Sequence, residues 1–548
     1  MSFHIRLLAA LAVALGGMTS AANAALVISD APTSGVNCAA GVCTATAANA
    51  VLNAKSLKKL LVATDMKVVS GSAAQDIVFN AKFQWTKPTR LTLDAYRAII
   101  FKLAVVAEGT GGVTLITNDG GTGGDYSFTD KGKLTFWDTS SSLIINGTPF
   151  TLVNSIDQIA QNFAGTNPAY VALSNYFAAS GTTFKKSPVH QLNGTFEGLG
   201  HVIDHMAITG ENGKQAQACT GLFYTAAGGS IIRDIHLTNV NILSTKGRDV
   251  GAIIGCGGNS AILGSSAQGS ITATRTASVG GLVGFASSIV NSSAAMTINT
   301  NTGELLKREQ PYVGGLAGYA DSITGSHASG TISASANEYA GGLVGYGITI
   351  SLSSASTSVN LPDGTYKCTQ VKHRRFPSLG GGLAGIGEIV DRSFATGAVT
   401  GGHSAVLGGL VGDAYYLSNS YSTGSVTGGV NSCIGGLIGY AEPVTPDTGI
   451  TSSYAVGAVS TAGPYTPGGL AAFVKNGSLF ASDVWDLDTT GISDTSHGAG
   501  NVANVSGITG LSDAALKSGL PSGFDPAVWG QSAGTNNGYP YLLANPPQ

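Results

Sequence analysis

The chain has 548 residues, 78 of them glycine, with 43% hydrophobic and only 11% charged residues. That balance is too apolar for a disordered chain, and the glycines lack the strict triplet period of collagen. A net charge of −3 supplies no global field toward nucleic acid or an anionic membrane, and neither is expected as a partner.

Residues 1–24 have the pattern of a secretory signal peptide. Arg6 gives a positive start, Leu7 to Leu15 is an apolar run, and Ala22-Asn23-Ala24 is a small-x-small cleavage site. The run is far short of the about 20 apolar residues that a membrane span needs. Export makes the six cysteines candidates for disulfides. Cys38 and Cys43 enclose four residues and suit a local clip. Cys219 and Cys256 flank successive repeat phrases and suit a bond between neighbouring coils, which leaves Cys368 and Cys433 either paired or as buried thiols.

Between residues 50 and 150, short β-rich runs follow one another at turn-bounded intervals. They are Ile77–Phe83, Leu91–Ala95, Ile99–Val106, Val113–Thr117, Leu134–Trp137 and Leu143–Asn146. Gly120-Gly121-Thr122-Gly123-Gly124-Asp125 resembles the opening of a calcium-binding nonapeptide. Ser127 stands where that motif needs a large apolar residue, and a single copy cannot stack, so a Gly-rich turn is expected. Ile156, Ile159, Ala160 and Phe163 have helical spacing and predict one or two short helices packed on the side of the coils.

The second half is built on a returning phrase, as in Gly280-Gly281-Leu282-Val283-Gly284, Gly341-Gly342-Leu343-Val344-Gly345 and Gly408-Gly409-Leu410-Val411-Gly412. With degenerate early copies, its central residues are Leu222, Ile253, Leu282, Leu316, Leu343, Leu383, Leu410, Leu437 and Leu470. The steps between them are 31, 29, 34, 27, 40, 27, 27 and 33 residues, a base step of 27 with insertions, which is the mark of a solenoid. A second phrase follows, as in Ser393-Phe394-Ala395-Thr396-Gly397-Ala398-Val399 and Ser420-Tyr421-Ser422-Thr423-Gly424-Ser425-Val426. Its alternation of period two is a strand signal, so these coils are expected to be stacked β-strands. The paired glycines would serve either a positive φ or a close backbone approach.

The two phrases together resemble the GLUG repeat of bacterial surface proteins. Gly194-Thr195-Phe196-Glu197-Gly198-Leu199-Gly200-His201-Val202-Ile203 resembles the coil that introduces such arrays in filamentous-haemagglutinin-like proteins, and Trp485-Asp486-Leu487-Asp488 resembles their ending. The resemblance implies a right-handed parallel β-helix and a secreted or surface-displayed product, and it implies no reaction. Leu511 to Lys517 has a Ser N-cap and predicts a short helix in the segment that leaves the repeat.

The expected organisation is therefore all-β, a parallel β-helix with short helical side elements. It runs as a signal peptide (1–24), N-terminal coils with a helical insertion (25–205), GLUG-type repeats (206–481) and a C-terminal cap (482–548). The expected function is that of an exported, non-catalytic, adhesin-like binding protein, with a host-cell, glycan or matrix surface as partner. It is expected to be secreted or displayed on the cell surface, with the periplasm as the other end-point. No catalytic, cofactor or metal residues are assigned.

The alternative is a carbohydrate-active β-helix enzyme, and a structural envelope component comes third. Glycoside hydrolysis needs two carboxyls at a set separation. Here Asp249, Glu304, Asp321, Glu338, Asp363, Glu388, Asp391 and Asp413 fall at scattered repeat positions, and Asp413, where other copies carry tyrosine, is expected as drift on an exposed strand. Two carboxylates with a Lys or Arg in one groove would mark the enzyme. Lys372-His373-Arg374-Arg375, in the longest insertion, is expected to be a solvated basic loop. Tyr319, Tyr346 and Tyr440, with Phe285 and Phe473, share one repeat position and are expected to stack as a structural ladder.

Overall fold

The computed structural model describes residues 24–209, 218–245, 247–274, 277–301, 311–364, 378–442 and 449–547. Residues 1–23 of the expected signal peptide, Glu304, Cys368 and the basic run Lys372 to Arg375 lie outside them. The chain forms two compact units that divide between Leu152 and Val153.

From Asp76 on, each coil of the first unit gives one strand to each of three parallel ladders. Asp76–Phe79, Phe83–Trp85 and Arg90–Asp94 make one coil; Ile99–Phe101, Ala104–Ala107 and Gly112–Ile116 make the next. The third coil contributes Tyr126–Phe128, Lys133–Phe136 and Leu143–Ile145, in register with the second. Alternate residues point inward, so Leu91, Leu93, Val113 and Leu115 are buried one above another. The run expected as one strand over Ile99–Val106 is two, because the coil turns a corner at Lys102 and Leu103. Cys38 and Cys43 face each other across an antiparallel hairpin and form the expected clip. Gly120 to Gly124 is a turn, held by Asn118, whose side chain accepts from the Gly124 N–H (2.7 Å) and donates to its carbonyl (2.8 Å).

Helix Ala54–Ala63 has no counterpart among the sequence expectations. Asn53 caps it by accepting from the Ser56 N–H, and Leu57 and Leu61, one turn apart, bury its inner face.

In the second unit, helix Ile156–Asn162 is capped by Ser155 and inserts Ile156, Ile159 and, just past its end, Phe163 into the core. Beyond it the coils stack in parallel. A typical coil comprises strands Ser378–Gly381, Ala384–Asp391, Phe394–Ala395 and Val399–Gly401. Each strand pairs with its equivalent in the next coil: Ala405–Gly408, Val411–Ser418, Tyr421–Ser422 and Val426–Gly428. The predicted leucine column is present. Leu282, Leu316, Leu343, Leu383, Leu410 and Leu437 each donate a 2.8 Å backbone hydrogen bond to the equivalent leucine of the following coil, and all are fully buried.

Of the two roles open to the paired glycines, the structure selects close approach. The second glycine of each phrase stacks on the next, and a Cβ on Gly382 would fall inside the van der Waals envelope of the Gly409 carbonyl. None of these glycines has a positive φ.

The serine that opens the second phrase also has a definite task. The N–H groups of Ser265, Ser292, Ser326, Ser353, Ser393 and Ser420 each donate to the hydroxyl of the next coil's serine, at 3.1 to 3.2 Å. Each hydroxyl donates in turn to the carbonyl two residues earlier, as Ser393 does to Asp391 at 2.9 Å. The result is a buried serine ladder at the bend, where Leu352, Arg392 and Asn419 adopt positive φ. Asp483 ends it by accepting from the Ser453 N–H at 3.0 Å. Ser393→Ala would leave the Ser353 N–H without a partner, while the Asp391 carbonyl would keep the Leu352 N–H as its donor. At about 1–3 kcal/mol for one unsatisfied buried group, the expected loss is about 1–3 kcal/mol, read as a lower urea midpoint.

Disulfide Cys219–Cys256 links adjacent coils, as expected, with Cα atoms 5.6 Å apart. Cys433 is also disulfide-bonded, and no described cysteine is free. Disulfides of this kind fit an oxidising, extracytoplasmic compartment. Among the described residues no helix is long and apolar enough to cross a membrane.

Candidate functional site

Coil register turns single repeat positions into columns on the flank of the second unit. One column runs His236, Ser266, Ser293, His327, Ser354, Phe394, Tyr421 and Tyr454. Its upper part is polar and its lower part aromatic. His236 and His327 each share a hydrogen bond between Nδ1 and the serine one coil below, 2.8 Å to Ser266 and 2.7 Å to Ser354. Burial lowers the pKa of both imidazoles and so favours their neutral form. Phe394, Tyr421 and Tyr454 stack with centroids 4.9 and 5.0 Å apart and rings nearly parallel.

The C-terminal segment divides this column in two. The stack continues through Asp483–Asp486 and Ile508–Leu511, and then helix Asp513–Ser518 starts at Ser512, the predicted cap. The chain does more than cover the last edge, because it turns back along the flank. Leu516, Phe524, Trp529, Tyr539 and Leu542 close over the aromatic rings. The Tyr454 hydroxyl donates to the Pro540 carbonyl at 2.6 Å, and the Asn545 amide donates to the carbonyls of Ser353 and Arg392 at 3.2 Å each. Pro547 lies at the edge of a groove of about 430 Å³ that follows the polar part of the column.

A second column runs Phe285, Tyr319, Tyr346, Ile386, Asp413, Tyr440 and Phe473. The expected aromatic ladder is there in two pieces. Phe285–Tyr319, Tyr319–Tyr346 and Tyr440–Phe473 have centroids 4.9, 5.2 and 5.1 Å apart. Ile386 and Asp413 interrupt it. Asp413 was expected on an exposed strand; it is 1% exposed instead, with Oδ1 lacking a hydrogen-bond partner among the described residues. Burial, reinforced by Glu442 and partly offset by Lys475, pushes its pKa up to about 8. Glu442 and Lys475 form an ion pair with each other.

The remaining carboxylates of the repeats serve local structure. Glu338 is buried, accepts from the Thr300 hydroxyl (2.5 Å) and the Ser335 N–H (2.7 Å), and is pushed up to about 7 by burial. Asp321 accepts from Ser287, Asp363 from the His403 N–H, Glu388 from the Tyr346 hydroxyl and Asp391 from Ser418. Cys219, Asp249 and Cys256 form the one group of three potential metal ligands among the described residues. Its two sulfurs are joined in the disulfide, so it offers no thiolate.

The sequence did not point to the groove. Insertions between coils hide the fact that His236, Ser293 and Ser354 share one position. The signal lay in the residue after the ladder serine, which changes from Ser or His to Phe and Tyr along the chain.

A model of the GLUG motif matches residues 310–333, which span strand Tyr312–Gly314, the phrase Gly314 to Tyr319 and the ladder residue Ser326. No curated protein matches the chain. The chain is a β-solenoid protein that carries a GLUG motif.

Proposed function

We propose that this is an exported, non-catalytic binding protein, adhesin-like in the manner of filamentous-haemagglutinin-like surface proteins, which acts by contact along the flank of its coils. The observation that carries this reading is the long side-chain array, fixed by the stack and capable of many small simultaneous contacts. The disulfides support a secreted or surface location. The partner would be a cell, glycan or matrix surface. Cell fractionation with detection of the mature chain tests the location, and cell and glycan binding without turnover tests the function. Release of product from a polysaccharide panel, or retention in the cytoplasm, overturns it.

The second reading, a carbohydrate-active enzyme, has one observation in its favour. Asp413, held protonated near neutral pH, lies near Glu442 and Lys475, two carboxyls and a lysine together. Its complete burial weighs against it, since a general acid must reach its substrate.

A further inference from the structure

The open groove has features that the aromatic half of the same flank lacks. It runs across the strands, beside Thr238, Ser266, Ser293, His327 and Ser354, so it repeats with the coils, about 4.8 Å per step. None of the side chains that line it is charged. Its polar groups are hydroxyls, an amide from Gln268 and a neutral imidazole. Nδ1 of His327 is engaged with Ser354, and Nε2 has no partner among the described residues. An uncharged imidazole can donate or accept there. Buried Ala267, Ala294, Ala328 and Ala355 keep the floor shallow.

Two alternative occupants fit less well. A peptide adding itself as a strand needs a free sheet edge, and these strands are paired on both sides by neighbouring coils. An apolar segment is suited to the aromatic half, where Phe524, Trp529, Tyr539 and Leu542 of the protein itself already lie. An acidic polymer would find no cation in the groove.

We propose that this groove binds a neutral, linear polysaccharide lying along the axis of the coils, one sugar unit per coil over about five coils. The proposal rests on the binding-protein reading and names its site and ligand class. An extended hexose unit is close in length to one coil step, so each sugar would meet the same kind of hydroxyl or imidazole partner.

The test is calorimetric titration of the full chain with neutral β-1,4-linked gluco-, xylo- and manno-oligosaccharides, from dimer to octamer. Oligogalacturonates and a peptide copying residues 528–547 serve as comparisons. Affinity should rise with length to about five units and then level off. The acidic and peptide probes should not bind. Ala295→Trp, at an exposed position in the groove, should reduce affinity by about tenfold or more while the thermal midpoint stays unchanged, and His327→Ala should weaken it several-fold.

Binding that is indifferent to Ala295→Trp, a preference for the acidic or peptide probe, or no binding to any neutral oligosaccharide overturns the proposal. If Ala295→Trp still binds cells or glycans as the wild type does, the groove assignment fails and the binding-protein reading stands. If the neutral oligosaccharides are cleaved, the non-catalytic reading fails and the groove keeps its ligand class.

Discussion

Asp413→Asn is expected to stabilise the protein most above about pH 8 and least near about pH 4. In the unfolded chain the carboxyl returns to its ordinary value of 3.8, while in the fold burial holds it at about 8. The folded state therefore keeps a proton that the unfolded state has released. Stability from this group is full below pH 3.8 and falls as pH rises, by about 1.4 kcal/mol per unit, until the folded pKa is passed. Asparagine cannot ionise and escapes that loss. Glu338 adds the same trend between 4.5 and about 7, so the wild type should be more stable in mild acid than in mild alkali. Urea midpoints across the pH range measure both effects. A variant that loses stability at high pH would show that Asp413 is ionised there and paired with Lys475.

Gly382→Ala is expected to cost more than the about 1–3 kcal/mol of ordinary overpacking. The added methyl meets the Gly409 carbonyl and the Ala395 Cβ, both fixed by the stack, so the coils must separate to admit it. Because each coil contacts its neighbours, the damage should spread to the coils beyond. Limited proteolysis should open the chain near this coil, and the circular-dichroism melt should broaden or shift strongly downward. Gly534→Ala is the control, since a Cβ there meets nothing within 4 Å; it should change stability by less than about 0.5 kcal/mol.

The solenoid was legible because its core is a periodic instruction. A buried leucine between glycines recurs at the base step, and strand alternation follows it. The cap of helix Asp513–Ser518 was legible for the same reason, since Ser512 acts within a few residues of itself, and helix Ile156–Asn162 was legible from its apolar spacing. Helix Ala54–Ala63 went unnoticed although Asn53, Leu57 and Leu61 carried the pattern, because the exposed Leu60 and Val62 blur its apolar stripe. The flank was not legible. The partner of Ser353 is Ser393, 40 residues away, and that of Asn545 is 192 residues away, so both depend on register and on the fold-back of the tail. Asp413 misled because a strand pattern gives the parity of a side chain but not what packs over it.

The central claim is that consecutive coils lie in register, each repeat position directly over its equivalent. Thr400 and Thr427 are exposed and register-paired across two coils. Neighbouring strands lie about 4.8 Å apart, within the Cα range of about 4.4–6.8 Å that a disulfide spans. With Thr400→Cys and Thr427→Cys introduced together, oxidation should give an intramolecular bond, identified by mass spectrometry of the linked peptides, and the pair Thr400→Cys with Ser425→Cys should link far less. Failure of the first pair to link, or equal linking of both, would contradict the stacked register.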